Sequence, residues 1–377
     1  MIDTFQQGYL MRRVVVGLSG GVDSSVAAML LKEQGYDVVG LFMKNWNETE
    51  NNGECTAVDD FRDVRRVADA LDIPYYVVDF SKEYYEKVFK LFIDEYKKGR
   101  TPNPDVLCNK VIKFDAFAEY ANQFDAEFIA TGHYAGVRHE ENIHHLLQSA
   151  DANKDQTYFL NQLSSAQLSN VLFPLSDISD KSKVRQMAEA KGLITANKKD
   201  STGICFIGER NFRKFLSEYI PMKDGSILDL SGKRVGTHHG VYYYTIGQRH
   251  GLGIGGGGTL EPWFVVDKDV KNNILYVNQG ECRELYADMV EVPEFNFISI
   301  VPEKQETRVK CRIRHRQPLF DATLVKTENG VHIYFDKPVR GVALGQYAVC
   351  YLNEICLGGG VIEKKSLGKH IFITNKF

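Results

Sequence analysis

Long apolar runs are missing from this sequence. A helix needs about 20 apolar residues in a row to cross a bilayer, and no such stretch occurs. The opening residues MIDTFQQGYL have no charged segment followed by an apolar one, so no export signal is read there. The expectation is a cytoplasmic protein without a membrane partner. Cysteine is sparse and scattered, at positions 55, 108, 205, 282, 311, 350 and 356. None of the spacings matches a zinc site, and an odd, widely spaced set argues for free thiols rather than a disulfide framework. An excess of one charge is also absent: 46 Lys and Arg face 49 Asp and Glu, for a net charge of -3. Composition therefore does not announce a nucleic-acid binder, and only clustered cations would make one. The 44% hydrophobic and 25% charged content excludes a disordered or collagenous chain. No fixed-period repeat is present.

The 377 residues suffice for two or three domains. From Arg12 to about Gly208, short apolar runs alternate with helical stretches. Strands are expected at Val14–Leu18, Val38–Met43, Tyr75–Phe80 and Phe128–Thr131. Helices are expected at Asp23–Gln34, Val58–Leu71, Lys82–Lys98 and Val111–Gln123. Near-continuous apolar strands alternating with helices predict an α/β fold with a parallel sheet covered on both faces. Beyond residue 209 glycine rises, with GLGIGGGG at Gly251–Gly258, and short β-type runs follow at Val241–Ile246, Trp263–Val266 and Ile274–Val277. From about Tyr286 helical periodicity stops. Thr307–Ile313, Phe320–Val325, His332–Phe335 and Tyr347–Tyr351 predict a small all-β module, barrel or sandwich. The expected domains are 1–208, 209–283 and 284–377, the middle one a small connector.

The sharpest local signal is Ser19-Gly20-Gly21-Val22-Asp23-Ser24-Ser25, between the strand VVVGL and the helix beginning DSSVAAMLL. Two glycines allow a tight turn and close approach of an anion to the backbone. The serines supply hydroxyl donors, and the helix start supplies N–H groups and a positive dipole end. The loop is neither a Walker A sequence nor GxGxxG. It resembles the signature of the PP-loop ATP pyrophosphatases, whose members cleave ATP between the α and β phosphates to adenylate a substrate carbonyl oxygen. An acidic residue beside phosphates calls for a cation between them, which makes Asp23 a candidate to place Mg2+.

Further segments narrow the resemblance: Phe42-Met43-Lys44-Asn45-Trp46, the run Gly99–Asn109 (GRTPNPDVLCN), Ala130–Tyr134 (ATGHY), Lys154–Leu160 (KDQTYFL) and Asp200–Ile207 (DSTGICFI). Together with the loop, and in this order, they are similar to the bacterial tRNA-specific 2-thiouridylases, which make 2-thiouridine at the wobble position. The resemblance implies a PP-loop domain, a connecting domain and a C-terminal β-barrel-like domain. It implies ATP held by Gly17, Leu18, Ser19, Gly20, Gly21, Val22, Asp23, Ser24, Met43 and Gly132. It makes Cys108 the catalytic cysteine and Cys205 the carrier of a persulfide sulfur. Asn103, Pro104 and Asp105 would touch the target base, with Asp105 a candidate acid or base. His133, Lys154, Asp155, Gln156, Arg314, His315 and Gln346 would contact tRNA. A sulfur-donor protein, such as a cysteine desulfurase or a sulfur relay protein, is the further partner implied.

The residues carry their own reading beside this. Pro102 and Pro104 stiffen the loop. Asp105 is then expected as a helix N-cap with Cys108 at the third helical position, where the dipole and Lys110 and Lys113 favour thiolate while Asp105 opposes it. By pattern alone, Cys205 would be a core cysteine at a strand start, and Cys311, Cys350 and Cys356 are read as core. Arg308, Lys310, Arg312 and Arg314 alternate with apolar residues, so all four are expected on one strand face: either a solvated surface or a phosphate-binding one. The Gly251–Gly258 run fits a lid or a linker, and residues 1–10 receive no role. Two rival readings use parts of the same evidence. A small-molecule PP-loop synthetase would share the loop but not need two reactive cysteines. A non-enzymatic tRNA-binding protein would explain the β module but not SGGVDSS. If the thiolase reading holds, sulfur reaches C2 by one of two routes. Either the persulfide attacks directly, or Cys108 releases hydrosulfide and forms a disulfide with Cys205.

Overall fold

Val14, Val15 and Val16 have no exposed surface, as a strand covered on both faces demands. They form β1 (Arg13–Leu18), the middle strand of a five-stranded parallel sheet ordered β3-β2-β1-β4-β7. The other members are β2 (Asp37–Lys44), β3 (Tyr75–Asp79), β4 (Phe128–Ala130) and β7 (Val171–Leu172), while β5 (Ala135–Glu140) and β6 (Ile143–Gln148) form an antiparallel hairpin. The computed structural model describes residues 11–46, 56–200, 212–255 and 261–368. It divides the chain into two compact units: Met1–Tyr85, Cys108–Thr157 and Leu163–Glu209 in the first, Glu86–Leu107, Tyr158–Gln162 and Arg210–Phe377 in the second.

In the first unit, Val14 pairs with Val38 on one side and with Phe128 on the other. The chain runs from β1 outward through β2 and β3, then returns to β4 on the opposite side. Strand order therefore reverses at β1 and β4, and in open sheets of this kind the ligand crevice lies at the carboxyl ends of such a pair. Helix α1 (Val22–Glu33) starts directly after β1 and buries Val22, Val26, Ala27 and Met29; α2 (Thr56–Leu71) adds Val64, Val67, Ala68 and Leu71.

In the second unit, β8 (Gly225–Asp229), β9 (Arg234–His238), β10 (Trp263–Asp269) and β11 (Ile274–Gln279) form one sheet ordered β10-β11-β8-β9. A longer antiparallel run follows the order β19-β12-β16-β15-β14-β17-β18. Its strands are β12 (Tyr286–Val292), β13 (Asn296–Phe297, paired with β18), β14 (Glu306–Arg312), β15 (Phe320–Thr327), β16 (Gly330–Arg340), β17 (Tyr347–Leu352), β18 (Ile355–Val361) and β19 (Lys364–Ser366). Its core contains Val309, Cys311, Ile313, Leu324, Ile333, Cys350 and Leu357. Cys356 is equally buried, so the three strand cysteines are core residues as expected. Gly359 is needed where β18 is crowded, because a Cβ there would lie 2.7 Å from the Ala348 carbonyl oxygen.

Three expected elements come out differently. Val241–Ile246 is not a strand: Val241–Tyr243 forms a 3-10 turn after Gly240, whose φ is 137°. The buried Tyr243 hydroxyl donates to the Ile220 carbonyl, which holds the chain in that turn. The helix expected over Lys82–Lys98 contains a π-helical stretch at Tyr85–Phe89. The one expected from Val111 begins earlier, at Pro104–Cys108, and continues through a π-helical stretch at Asn109–Ala116.

Tyr158 is fully buried, and its hydroxyl donates to the Tyr347 carbonyl at 3.1 Å. Burial pushes the phenol well above its usual range. Tyr158→Phe removes the donor and leaves a buried carbonyl unmatched, which costs about 1–2 kcal/mol. Urea unfolding should show a lower midpoint with an unchanged slope; an unaltered midpoint contradicts the assignment.

Candidate active site

The chain leaves β1 through Gly17 and Leu18, both buried, and turns at Gly20 with φ 74°. A Cβ at Gly20 would lie 2.5 Å from the Asp60 carbonyl oxygen, so only glycine fits. Gly21 is the N-cap of α1 and brings no side chain to its first-turn N–H groups. The serines instead shape the loop. Ser24 Oγ accepts from the Ser19 N–H at 3.1 Å, and Ser24 and Ser25 donate to the Gly21 carbonyl at 3.1 and 2.8 Å. The result is a turn whose helix-start N–H groups stay available for an anion. Gly132, after β4, packs against the same turn: a Cβ there would sit 2.6 Å from Ser24 N and 2.7 Å from Asp23 C. Met43 lies beside Gly17, its Cε 3.3 Å from where a Cβ would be. The sequence-predicted nucleotide residues Gly17 to Ser24, Met43 and Gly132 thus come together at the reversal of strand order.

Asp23 does not stand free in this turn. Its Oδ1 accepts from the Tyr134 hydroxyl at 2.8 Å and its Oδ2 from Lys181 Nζ at 2.9 Å. Lys181 also reaches Asp200 Oδ1 at 2.6 Å, and Asp200 takes Arg185 at 2.8 Å and Lys154 at 3.1 Å. Burial raises the Asp200 pKa, but Lys181 and Lys154 outweigh it and hold the carboxyl below its usual range. Burial, then the Asp23 charge, pushes the Tyr134 phenol far up, so it stays a hydrogen-bond donor. Lys181 begins the helix Lys181–Ala190, capped by Asp180; its own N–H donates to the buried Asp151. Among the described residues no cluster of three or more His, Cys, Asp or Glu could hold a metal. A cation at Asp23 would rest on phosphate oxygens and this one carboxylate, in competition with Lys181.

The proline loop departs from expectation in its cap. Asn103 Oδ1 accepts from the Asp105 N–H at 3.2 Å, and Pro104 is the first helical residue. Asn103 is therefore the cap, because proline, lacking an N–H, suits the first position. Cys108 falls at the fifth helical position, beyond the first turn, and its thiol is fully buried. Cys205, with the rest of Asp200–Ile207 beyond Asp200, lies outside the described residues.

The residues expected to touch RNA are mostly engaged within the fold. His133 is buried, bonded through Nδ1 to Thr131 at 2.7 Å and set against Phe114 and Phe173. Burial, aided by the Lys113 charge, holds its pKa well down, so it is neutral and not a cation for phosphate. Asp155 is sealed in and accepts from the Thr157 hydroxyl at 2.9 Å. Gln156 exchanges hydrogen bonds with the Tyr134 backbone. Gln346 donates to the Thr101 carbonyl at 2.6 Å and so ties down the proline loop. His315 stacks on Phe159, with centroids 4.4 Å apart. The cationic strand face is corrected. Arg308 is paired with Asp336 at 2.6 Å and Lys310 with Asp321 at 2.7 Å. Arg312 is 7% exposed, and Arg314 donates to the Ile246 carbonyl. β14 ends at Arg312, so Arg314 lies beyond the alternation, and β15 and β16 supply the carboxylates Asp321 and Asp336.

Comparison with known proteins decides the family. Residues 12–209 match a family model described as a tRNA methyl transferase HUP domain, 213–279 a tRNA methyl transferase PRC-barrel domain, and 287–362 an aminomethyltransferase beta-barrel domain. The chain is 54% identical over 356 residues to the tRNA-specific 2-thiouridylase MnmA of Staphylococcus aureus (strain bovine RF122 / ET3-1), covering 93% of this chain and 95% of that one. The chain belongs to the tRNA-specific 2-thiouridylase family. The same figures hold for the thiouridylase of Staphylococcus aureus strain Newman. Among solved structures, a U34-tRNA thiolase, NcsA of Methanococcus maripaludis, shares 21% identity, covering 55% of this chain and 65% of that one, with a TM-score of 0.34.

Tyr134, Lys181, Arg185 and Asp200 join the network at Asp23, and sequence reasoning did not single them out. Tyr134 and Asp200 sat inside the quoted segments ATGHY and DSTGICFI without an assigned role. Lys181 and Arg185 lay in an unremarked helix, and only folding brings Lys181 to Asp23.

The low pKa of Asp200 gives a signed expectation. A carboxyl depressed in the folded state contributes stability above its unfolded pKa and loses it as pH falls through the folded value. Asp200→Asn should lower the melting temperature at pH 7, where three cations lose their carboxylate. The gap should narrow as pH drops below about 4. A gap of constant size down to the acid limit of folding contradicts the network.

Proposed function

We propose that the chain is an ATP-dependent tRNA-uridine 2-sulfurtransferase acting on the wobble uridine in the cytoplasm. The observation that carries this reading is the 54% identity to curated tRNA 2-thiouridylases across 93% of the chain. The methyl-transferase wording of two family models does not outweigh it, because the glycine–serine anion turn suits phosphate chemistry. The division of labour follows: residues 1–208 bind ATP, 209–283 connect, and 284–377 dock tRNA.

The first step is adenylation. The C2 oxygen of uridine attacks the α-phosphate of ATP, and pyrophosphate leaves. The N–H groups of Val22, Asp23 and Ser24 at the helix start, with Lys181, suit the charge on that leaving group. Lys181 then exchanges Asp23 for phosphate oxygens, and Asp23 becomes available to Mg2+, which would supply charge neutralisation there. In the second step a persulfide on Cys205, loaded by a sulfur-donor protein, delivers sulfur to C2, and AMP leaves. Cys108 acts either on that persulfide, releasing hydrosulfide and forming a disulfide, or after direct attack. Its thiol is buried, so the start of its helix must move when RNA docks. Asn103, Pro104 and Asp105 adjoin it on the proline loop and contact the base. His133, Lys154, Asp155 and Gln156 take part in RNA docking chiefly by holding the Tyr134 and Asp200 region, and Arg314, His315 and Gln346 from the β module.

Pyrophosphate release from ATP, assayed with unmodified tRNA and with small amide precursors, tests the reading: stimulation by tRNA alone is expected, and stimulation only by a small amide overturns it. Lys181→Met should cut tRNA-dependent pyrophosphate release by about 100-fold, the usual loss for one transition-state donor. Near-normal release removes Lys181 from the site. Cys108→Ser and Cys205→Ala should still release pyrophosphate yet yield no thiolated tRNA. Cys205→Ala alone should fail to carry labile sulfur; normal thiolation by it eliminates the persulfide role.

A further inference from the structure

One segment of the second unit, Tyr242–Gly251, collects cations from elements far apart in sequence. Arg213, from the helix Phe212–Ser217, lies over the Tyr244 ring at 5.2 Å and donates to the Gly251 carbonyl at 3.3 Å. Lys268, on β10, donates to the Tyr244 carbonyl at 2.9 Å. Arg314, just past β14, donates to the Ile246 carbonyl at 3.0 Å. Arg340, at the end of β16, stacks on Phe264 at 4.3 Å and approaches Gly247. Arg249 is exposed within the segment itself.

Most of these cations are held by carbonyl oxygens and aromatic faces, not by carboxylates. Such partners fix a side chain without cancelling its charge. Among the described residues, the carboxylates facing the group are Glu281, 3.2 Å from Arg340, and Asp267, which acts on Lys268. Five cations thus meet two acids in a chain whose net charge is -3. Burial, with Asp267 only partly opposing, brings the Lys268 amine down to about 8. The cations come from five separate elements of the second unit, and Arg249 stands exposed among them. An excess of positive charge on these elements suits a polymer of phosphates.

We propose that Tyr242–Gly251 and the cations around it form a docking surface for the sugar–phosphate backbone of the RNA substrate, in the middle module. This rests on the reading that the substrate is tRNA. It gives the segment leading into the Gly251–Gly258 run a role, and adds Arg213 and Arg249 to the RNA-facing residues.

Binding of an unmodified tRNA transcript to the full chain, measured across a salt series, tests it. Arg249 is exposed, so Arg249→Glu should fold with an unchanged melting temperature. It should bind about 10-fold more weakly at moderate salt, and its slope of log K against log salt should fall by roughly 0.7–0.9 for the lost contact. Arg249→Gln should fall between, and Arg213→Gln should weaken binding similarly. Unchanged affinity and slope in these variants overturns the surface while leaving the thiolase reading intact. Unchanged tRNA affinity with weakened sulfur uptake from a donor protein also overturns it, assigning the patch to a protein partner. Failure of the unsubstituted chain to bind tRNA overturns both.

Discussion

The ammonium of Lys181 is the contact on which the site of the first unit depends. It lies between Asp23 of the phosphate turn and Asp200, at 2.9 and 2.6 Å, with its side chain 12% exposed. Without it, two carboxylates would face one another beside a helix start. A partly buried pair of this kind is weak evidence for stability, since desolvation offsets much of the attraction. Its value lies in position. One cation touches the turn at the start of α1 and also the residue that begins the Asp200–Ile207 segment.

The rest of the first unit supports that placement. The buried valines of β1 fix the strand whose end becomes the turn, and Gly132 lets β4 close against it. Asp180 and Asp151 anchor the helix that presents Lys181. Lys181 and Lys154 keep Asp200 ionised, and Arg185 pairs with it at 2.8 Å. In the second unit, Gln346 and the Arg100–Glu363 pair tie the loop before Pro104 to the β module. The phosphate-type turn and the proline loop are thus each held by hydrogen bonds from within their own unit.

Local features were legible in the sequence. The turn SGGVDSS declares its geometry, because it is written in consecutive residues, and the parallel sheet follows from uninterrupted apolar strands. Features made by distant residues were not. Tyr134 and Lys181 reach Asp23 from 111 and 158 positions away, and no periodicity relates them. Arg314 misled because β14 ends at Arg312, so the period-two rule no longer placed it. Asp105 was expected as a cap where Asn103 serves; the missing N–H of Pro104 was the signal for the earlier start. Val241–Ile246 looked like a strand, but Gly240 and the buried Tyr243 hydroxyl turn the chain.

The central claim is that Ser19–Ser25 receives the phosphates of ATP and that Lys181 changes partner to meet them. The position of Lys181 in a crystal structure with a non-hydrolysable ATP analogue measures this directly. The account predicts phosphate oxygens at the start of α1, with Lys181 Nζ within about 3 Å of one of them and no longer on Asp23. Phosphates bound away from this turn, with the Lys181–Asp23 pair intact, would contradict it.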